Sequence, residues 1–335
     1  MARKIIHKYD SIISIENLLE AWQEFLRGKK KRKDVQEFEG NFMSNVLNLH
    51  NDLKSGKYKH SDYEHFKVSD PKPRDIHKAK VRDRLLHHSL YRVLYPLYDK
   101  KFSFSSFSCR NFKGTHKAIE YFYQCFLKES KNNTRTVWVL KCDIRKFFAN
   151  IDQCVLFEIL QKYIEDENLL KLLKEIISSF NSGKVGVGLP LGNLTSQLFV
   201  NIYMNEFDQF VKHKLKVKYY VRYCDDFVFL STDKDFLLKT LDKVNLFLNN
   251  RLKLKLHPNK VSIKTFASGV DFLGWVHFPK HRVLRTSTKR RAYKKFRAGW
   301  SEESKQSYLG LLSHGNTYKI QAELLMVDFL LRYTL

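Results

Sequence analysis

Two short acidic stretches hold the residues most able to do chemistry in this chain. One is "LKCDIRKFF" (140–148), with Asp143 ending an alternating apolar segment. The other is "YCDD" (223–226), with Asp225 and Asp226 between two apolar runs. The two lie far apart in sequence, so only folding can unite them. Carboxylates on neighbouring strands repel unless a cation stands between them. Mg2+ is the natural cation, because it takes hard oxygen ligands and accepts phosphate oxygens beside them. Two such ions roughly 4 Å apart can activate a hydroxyl nucleophile and stabilise a leaving pyrophosphate. Taken alone, Asp-Asp would serve equally well as a hairpin turn, where Asp is common.

The elements around these residues suit the task. In "TVWVLKCDIRKFF" (136–148), Trp138, Leu140, Cys142 and Ile144 share one face of a strand, and Lys141 and Asp143 the other. Residues 218–231 read as a hairpin around Asp225-Asp226. Helices are expected over 15–26 with Gly28 as a stop, over 42–53 ended by Gly56, over 81–98, and over 116–129 opened by Thr115. Further helix is expected over 153–180, after Gly192, over 233–252 and, in a basic form, after Arg285. Strands are expected at 63–68, in "LKLKLHPNK" (252–260) and in "GVDFLGWVHF" (269–278). Pro71 and Pro73 keep 69–75 as a turn. The sum is an α+β chain, with helices backing an antiparallel sheet.

Bulk composition narrows the partners. Sixty Lys and Arg stand against 35 Asp and Glu, a net charge of +25. A surface so charged repels itself, and a polyanion such as nucleic acid relieves it. The cations cluster in "RGKKKRK" (27–33) and "KRRAYKKFR" (289–297). Either run could be a solvated face, but the second interleaves Tyr293 and Phe296 as a groove along a sugar-phosphate backbone would. Five scattered cysteines give neither zinc spacing nor a disulfide framework, which suits a reducing, cytoplasmic setting. No apolar run approaches a membrane span, and the basic N-terminus does not read as a signal peptide.

Seven motifs in order give the chain a family likeness: "PKPRDIHKAKVRDRLLHHSL" (71–90), "SFSCRNFKGTHKAI" (106–119), "LKCDIRKFFANID" (140–152), "GLPLGNLTSQ" (188–197), "YVRYCDDF" (220–227), "LKLHPNK" (254–260) and "FLGW" (272–275). Any one is weak. Together they resemble the reverse transcriptases of the bacterial group-II-intron-like branch. The resemblance implies a right-hand polymerase fold: a basic helical extension (1–62), fingers and palm (63–284) and a short helical basic thumb (285–335). It implies RNA-directed DNA synthesis with two Mg2+ ions and deoxynucleoside triphosphates. Asp143, the adjoining Ile144, Asp225 and Asp226 match its metal-binding positions. Lys67, Lys72 and Arg74 match cations on the triphosphate, and Arg110 and Lys113, in the next basic loop, are expected to touch template or triphosphate. Phe147 and Phe148 match the aromatic pair at the nucleotide, with Phe148 excluding a 2′-hydroxyl. Lys260 matches a lysine that protonates the leaving pyrophosphate. Phe272, Leu273, Gly274 and Trp275 match the strand that grips the primer, although Phe272 and Trp275 would serve as well in a core.

Residues 188–197 refine the likeness. Intron enzymes typically read Pro-Gln-Gly there and close with Ser-Pro, whereas this chain reads Pro190-Leu191-Gly192 and closes with Ser196-Gln197. The stretch after Arg285 is short for a maturase thumb with DNA-binding segments, and no late Val-Thr-Gly of retron enzymes occurs. The pattern is similar to reverse transcriptases of diversity-generating retroelements. That implies copying of a template-repeat RNA into cDNA, errors opposite adenine, and a basic oligomeric accessory variability protein as partner. A glutamine near Gly192 can hydrogen-bond the nucleotide or duplex; Leu191 offers only shape and is expected to lower fidelity, unless it merely packs. A retron-like or phage-defence reverse transcriptase, and an RNA-binding scaffold with a retired site, are the competing readings.

Overall fold

The computed structural model describes residues 5–6, 8–69 and 72–324. Pro71 of the expected turn, the first four residues and the end of the helical thumb (325–335) lie outside the described residues. The chain divides into two compact units, each built from three separate stretches. The first comprises 1–110, 144–216 and 243–258; the second comprises 111–143, 217–242 and 259–335.

The first unit is mainly helical. Ser14 caps the helix Ile15–Leu26 by accepting from the Asn17 N–H, and Trp22 of that helix packs against Phe25, Phe38 and Phe42 at 5.0–5.3 Å between ring centres. The helix Val81–Asp99 lies on it, tied by Arg92 to Glu20 and Glu24. The helix Leu194–Gln209 is buried on nearly every side, its polar Thr195, Ser196, Asn201, Asn205 and Asp208 included. Its polar groups find partners: Asn201 Nδ2 donates to Ser108 O at 2.9 Å and the Tyr203 hydroxyl to Leu252 O at 2.6 Å. A two-stranded hairpin, β1 (Glu64–Val68) and β2 (Arg74–Lys78), completes the unit. β2 was not expected, because two prolines beside it mask the strand pattern.

The second unit holds two antiparallel sheets. The first has the order β4 (Tyr219–Tyr223), β5 (Asp226–Ser231), β3 (Trp138–Asp143), β6 (Ser262–Thr265). The helix Thr115–Glu129 packs against β4 and β5, with Phe126 stacked on Phe266 at 3.8 Å. Gly114, not Thr115, is the residue before its first turn. The second sheet is β7 (Val270–Phe272), β8 (Trp275–His277) and β9 (Arg282–Leu284), followed by the helices Thr286–Arg297 and Glu302–Leu312.

Two expected strands are corrected. "GVDFLGWVHF" is not one strand but a hairpin, because Leu273 and Gly274 take positive φ of 52° and 90° and reverse the chain. "LKLKLHPNK" forms no strand; Leu252 ends a helix, and Leu256 makes only an isolated bridge with Ile144. Its alternation comes from lysines projecting off an irregular segment with Leu252 and Leu254 buried.

Candidate active site

In the second unit, β3 and β5 are neighbours and their register sets Asp143 directly opposite Asp226. Asp143 closes β3 and Asp226 opens β5, so both carboxylates sit at one end of the sheet. Cys224, at φ 59°, turns the chain from β4 into β5 and is followed by Asp225. Beneath that turn lies Arg222, 1% exposed, whose Nη1 donates to Cys224 O at 3.1 Å. Arginine is almost never so deeply buried without partners, and here it braces the turn that presents Asp225.

Two ammonium groups neutralise this end. Lys260 Nζ lies 2.9 and 3.0 Å from the two oxygens of Asp143. Lys141 Nζ lies 3.4 Å from Asp226 Oδ2 and donates to Asp271 O at 2.6 Å. Asp271 in turn accepts from Arg285 Nε at 2.8 Å. Burial, joined by the charges of Asp143 and Asp225 and opposed by Lys141, raises the Asp226 carboxyl to about 7. Its Oδ1 is buried and has no hydrogen-bond partner. An orphaned buried acceptor costs about 1–3 kcal/mol, so the site favours one more cation or donor.

Mg2+ fits that demand. Among the described residues no group of three or more His, Cys, Asp or Glu side chains encloses a metal position. Mg2+ does not need such a cage, since it typically binds through one or two carboxylates with waters and substrate phosphates. Asp143 and Asp226 provide hard oxygens, and Asp225 adjoins them. Ile144 is buried and offers no side-chain ligand, leaving its carbonyl.

The nucleotide-binding candidates belong to the first unit. Lys67, Lys72 and Arg74 are exposed on the β1–β2 hairpin, where Lys67 faces Asp75 and Val68 faces Arg74 across the ladder. The 188–193 loop runs along the same hairpin. The His77 N–H donates to Leu191 O at 3.0 Å, Asn193 Nδ2 donates to His77 O at 2.7 Å, and the Ala79 N–H donates to Asn193 Oδ1 at 3.2 Å. Gly192 has φ 108°, and a Cβ there would stand 2.9 Å from the Ile76 side chain, so glycine suits the close approach. The Leu191 side chain is half-buried. Phe148 is half-buried too, its ring edge-on to Phe147 at 5.6 Å, while Phe147 itself is in the core.

Other candidates are placed differently. Arg110 turns inward: Nε donates to Asp99 Oδ1 at 2.7 Å and Nη1 to Ser103 O and Ser106 O at 2.7 and 3.0 Å, so it braces its own loop. Phe272 and Trp275 are fully buried, Phe272 against Phe122 and Trp275 in a cluster with Leu284, Phe296 and Leu312. Of "FLGW", the half-buried Leu273 and the backbone of Gly274 form the turn. The sequence reading missed the bracing roles of Arg222, Lys141 and Asn193. For Arg222 and Lys141 the available signal was a charge set inside an apolar strand.

Residues 67–277 match the family model of reverse transcriptase (RNA-dependent DNA polymerase). The protein YkfC of Escherichia coli is 25% identical over 279 residues, covering 71% of this chain and 70% of its own. The group II intron-encoded protein LtrA of Lactococcus lactis is 23% identical over 295 residues, covering 68% of this chain but 47% of LtrA, so the chain spans about half of that relative. Apo telomerase from Candida tropicalis superposes with a TM-score of 0.51 at 15% identity, over 72% of this chain and 60% of the telomerase chain. That likeness carries the fold: the mixed helix and strand arrangement is the reverse transcriptase polymerase fold.

Proposed function

The chain belongs to the reverse transcriptase (RNA-dependent DNA polymerase) family, and from that premise we propose that it copies a template-repeat RNA into cDNA with errors opposite template adenines. The observation that carries the polymerase chemistry is the pairing of Asp143 with a buried, partly unsatisfied Asp226. Asp143, Asp225 and Asp226 would hold Mg2+, which when bound supplies charge neutralisation for the 3′-hydroxyl and the leaving pyrophosphate. Lys260 Nζ donates to Asp143 and is the donor for the departing pyrophosphate. Lys141 and Arg222 keep the carboxylate turn in place. Lys67, Lys72 and Arg74 bind the triphosphate of an incoming deoxynucleotide, and bidentate Arg74 suits its oxygens. The ring of Phe148 excludes a 2′-hydroxyl.

Leu191 supports the error-prone part of the reading. Its carbonyl is used by His77, while its side chain presents only an apolar shape beside Gly192. Template RNA and the growing cDNA are the partners, with a basic oligomeric accessory variability protein, in a bacterial cytoplasm. No helix among the described residues is long and apolar enough to cross a membrane.

The test is to incubate the purified chain with its flanking RNA, deoxynucleotides and Mg2+, and to sequence the cDNA. Substitutions concentrated at template adenines are expected. Faithful cDNA would leave a polymerase of the retron-like or phage-defence kind. No cDNA, with RNA still bound, would leave only a scaffold.

A further inference from the structure

The second unit contains a cavity of about 430 Å3 at the end of β8 opposite the Leu273–Gly274 turn. Its walls are the turn that joins β8 to β9, the segment 314–316 and Tyr123 of the helix Thr115–Glu129. We propose that this cavity binds one nucleotide of a single-stranded RNA, separately from the copying site.

The walls are held in place. The Phe278 N–H donates to His281 O at 2.8 Å, closing the turn. Tyr123 donates its hydroxyl hydrogen to Pro279 O at 3.0 Å. Arg282 Nε donates to His314 O, and the Asn316 N–H donates back to Arg282 O at 2.9 Å. Gly315 lets this segment lie flat on the core, since a Cβ there would come within 2.1 Å of the Trp275 ring. That contact leaves His314 and Asn316 lining the cavity on either side of the glycine.

The lining has what a nucleotide needs. Lys280 and Arg282 supply positive charge for a phosphate; Glu120 is the acidic group acting on Arg282. Phe278 and His281 stack at 4.9 Å with ring planes 18° apart, and His116 stacks on His314 at 3.7 Å, so planar faces flank the cations. Asn316 offers an amide that can donate to and accept from a base edge. The volume lies in the roughly 300–1,000 Å3 range of pockets that hold small organic ligands, more than a bare phosphate fills. Lys280 and His281 are exposed at the rim, so a strand can continue past the bound nucleotide. Aromatic faces interleaved with cations are the usual means of holding unpaired nucleic acid without reading its sequence.

The experiment uses the full chain, a short fluorescent single-stranded RNA, and the variants Lys280→Glu with His281→Ala, and Asn316→Ala. RNA affinity is expected to fall about tenfold in the double variant. The slope of log affinity against log salt should fall by roughly 0.7, the loss of one phosphate contact. Extension of a short primed template should keep its kcat, which also shows that the variants fold. Thiouridine-bearing RNA should crosslink to 278–282 or 314–316 in the wild type. Unchanged affinity and slope, or crosslinks confined to other segments, would overturn the proposal. AMP bound as tightly as RNA and lost equally in the variants would assign the cavity to a free nucleotide instead and overturn the RNA claim. If the wild type makes no cDNA while these variants still lose RNA affinity, the copying function fails and the cavity stands.

Discussion

The carboxylate turn of the second unit and the Leu191 loop of the first are held by different kinds of bond. At the turn, the functional side chains themselves are engaged: Asp143 by Lys260, Asp226 by Lys141, and the Cys224 carbonyl by Arg222. In the loop, main-chain groups and the Asn193 amide make the bonds, and the Leu191 side chain makes none of them. A substitution at the turn therefore disturbs charge balance and geometry together. At position 191 it leaves the loop's hydrogen bonds in place. In the proposed enzyme, chemistry would sit where the fold tolerates little change, and base selection where it tolerates more.

The strongest way to break this comparison is Asp143→Asn. The isostere keeps the shape but frees Lys260 and removes a hard oxygen charge. Primer extension should fall by about 10³-fold or more, with RNA affinity and the circular dichroism spectrum unchanged. Activity within tenfold of wild type would mean that the carboxylate is a turn former and not part of the chemistry. Next in size is Asn193→Ala, which attacks the loop through its scaffold. It leaves the His77 carbonyl and the Ala79 N–H without their buried partner, at a cost of roughly 2–3 kcal/mol. Denaturant unfolding should report that loss, and the KM for deoxynucleotides should rise more than kcat falls. An unchanged KM in a destabilised chain would uncouple the loop from the nucleotide.

These differences also explain what was legible in the sequence. Asp143 and the Asp225-Asp226 hairpin could be read because strand alternation and turn chemistry are local. The helix after Gly192 and most other helices were legible for the same reason. "FLGW" misled, because an apolar run at period two looks like one strand until positive φ at Leu273 reverses it. Arg110, expected to touch template or triphosphate, instead turns inward, because Asp99 at the end of the preceding helix and the carbonyls of Ser103 and Ser106 take its guanidinium. The second strand of the β1–β2 hairpin was hidden by prolines. None of the through-space pairs, such as Lys260 with Asp143 across 117 positions, is visible to a local pattern.

Lys141→Met sharpens the comparison from the chemical side with a smaller effect. It removes the cation nearest Asp226 and leaves the Asp271 carbonyl without its donor, but takes away no candidate metal ligand. A fall in kcat of about tenfold is expected from the loss of one charge-assisted contact of about 1.5 kcal/mol, with RNA affinity unchanged. Lys141→Arg should recover most of it. If Lys141→Met unfolds the chain and Lys141→Arg recovers nothing, the residue supports the sheet and not the carboxylate.

Leu191→Gln tests the selective side and should have the smallest effect on rate. The loop backbone does not depend on this side chain: the His77 N–H holds the carbonyl, and Gly192 supplies the unusual φ. Glutamine has comparable length and Leu191 is only half-buried, so stability should change little. What it adds is a donor and an acceptor where leucine has neither. One added hydrogen bond is worth about 0.5–1.5 kcal/mol net, a few-fold to tenfold in discrimination. Misincorporation opposite template adenine should drop by that factor while kcat with the correct nucleotide holds. An unchanged error rate would place fidelity elsewhere in the chain and reduce Leu191 to packing. A matched drop in both correct and incorrect incorporation would say that the side chain supports the site's shape. Only a fall confined to wrong pairs leaves the contrast intact, with catalysis fixed at the carboxylate turn and base choice left open at one apolar residue.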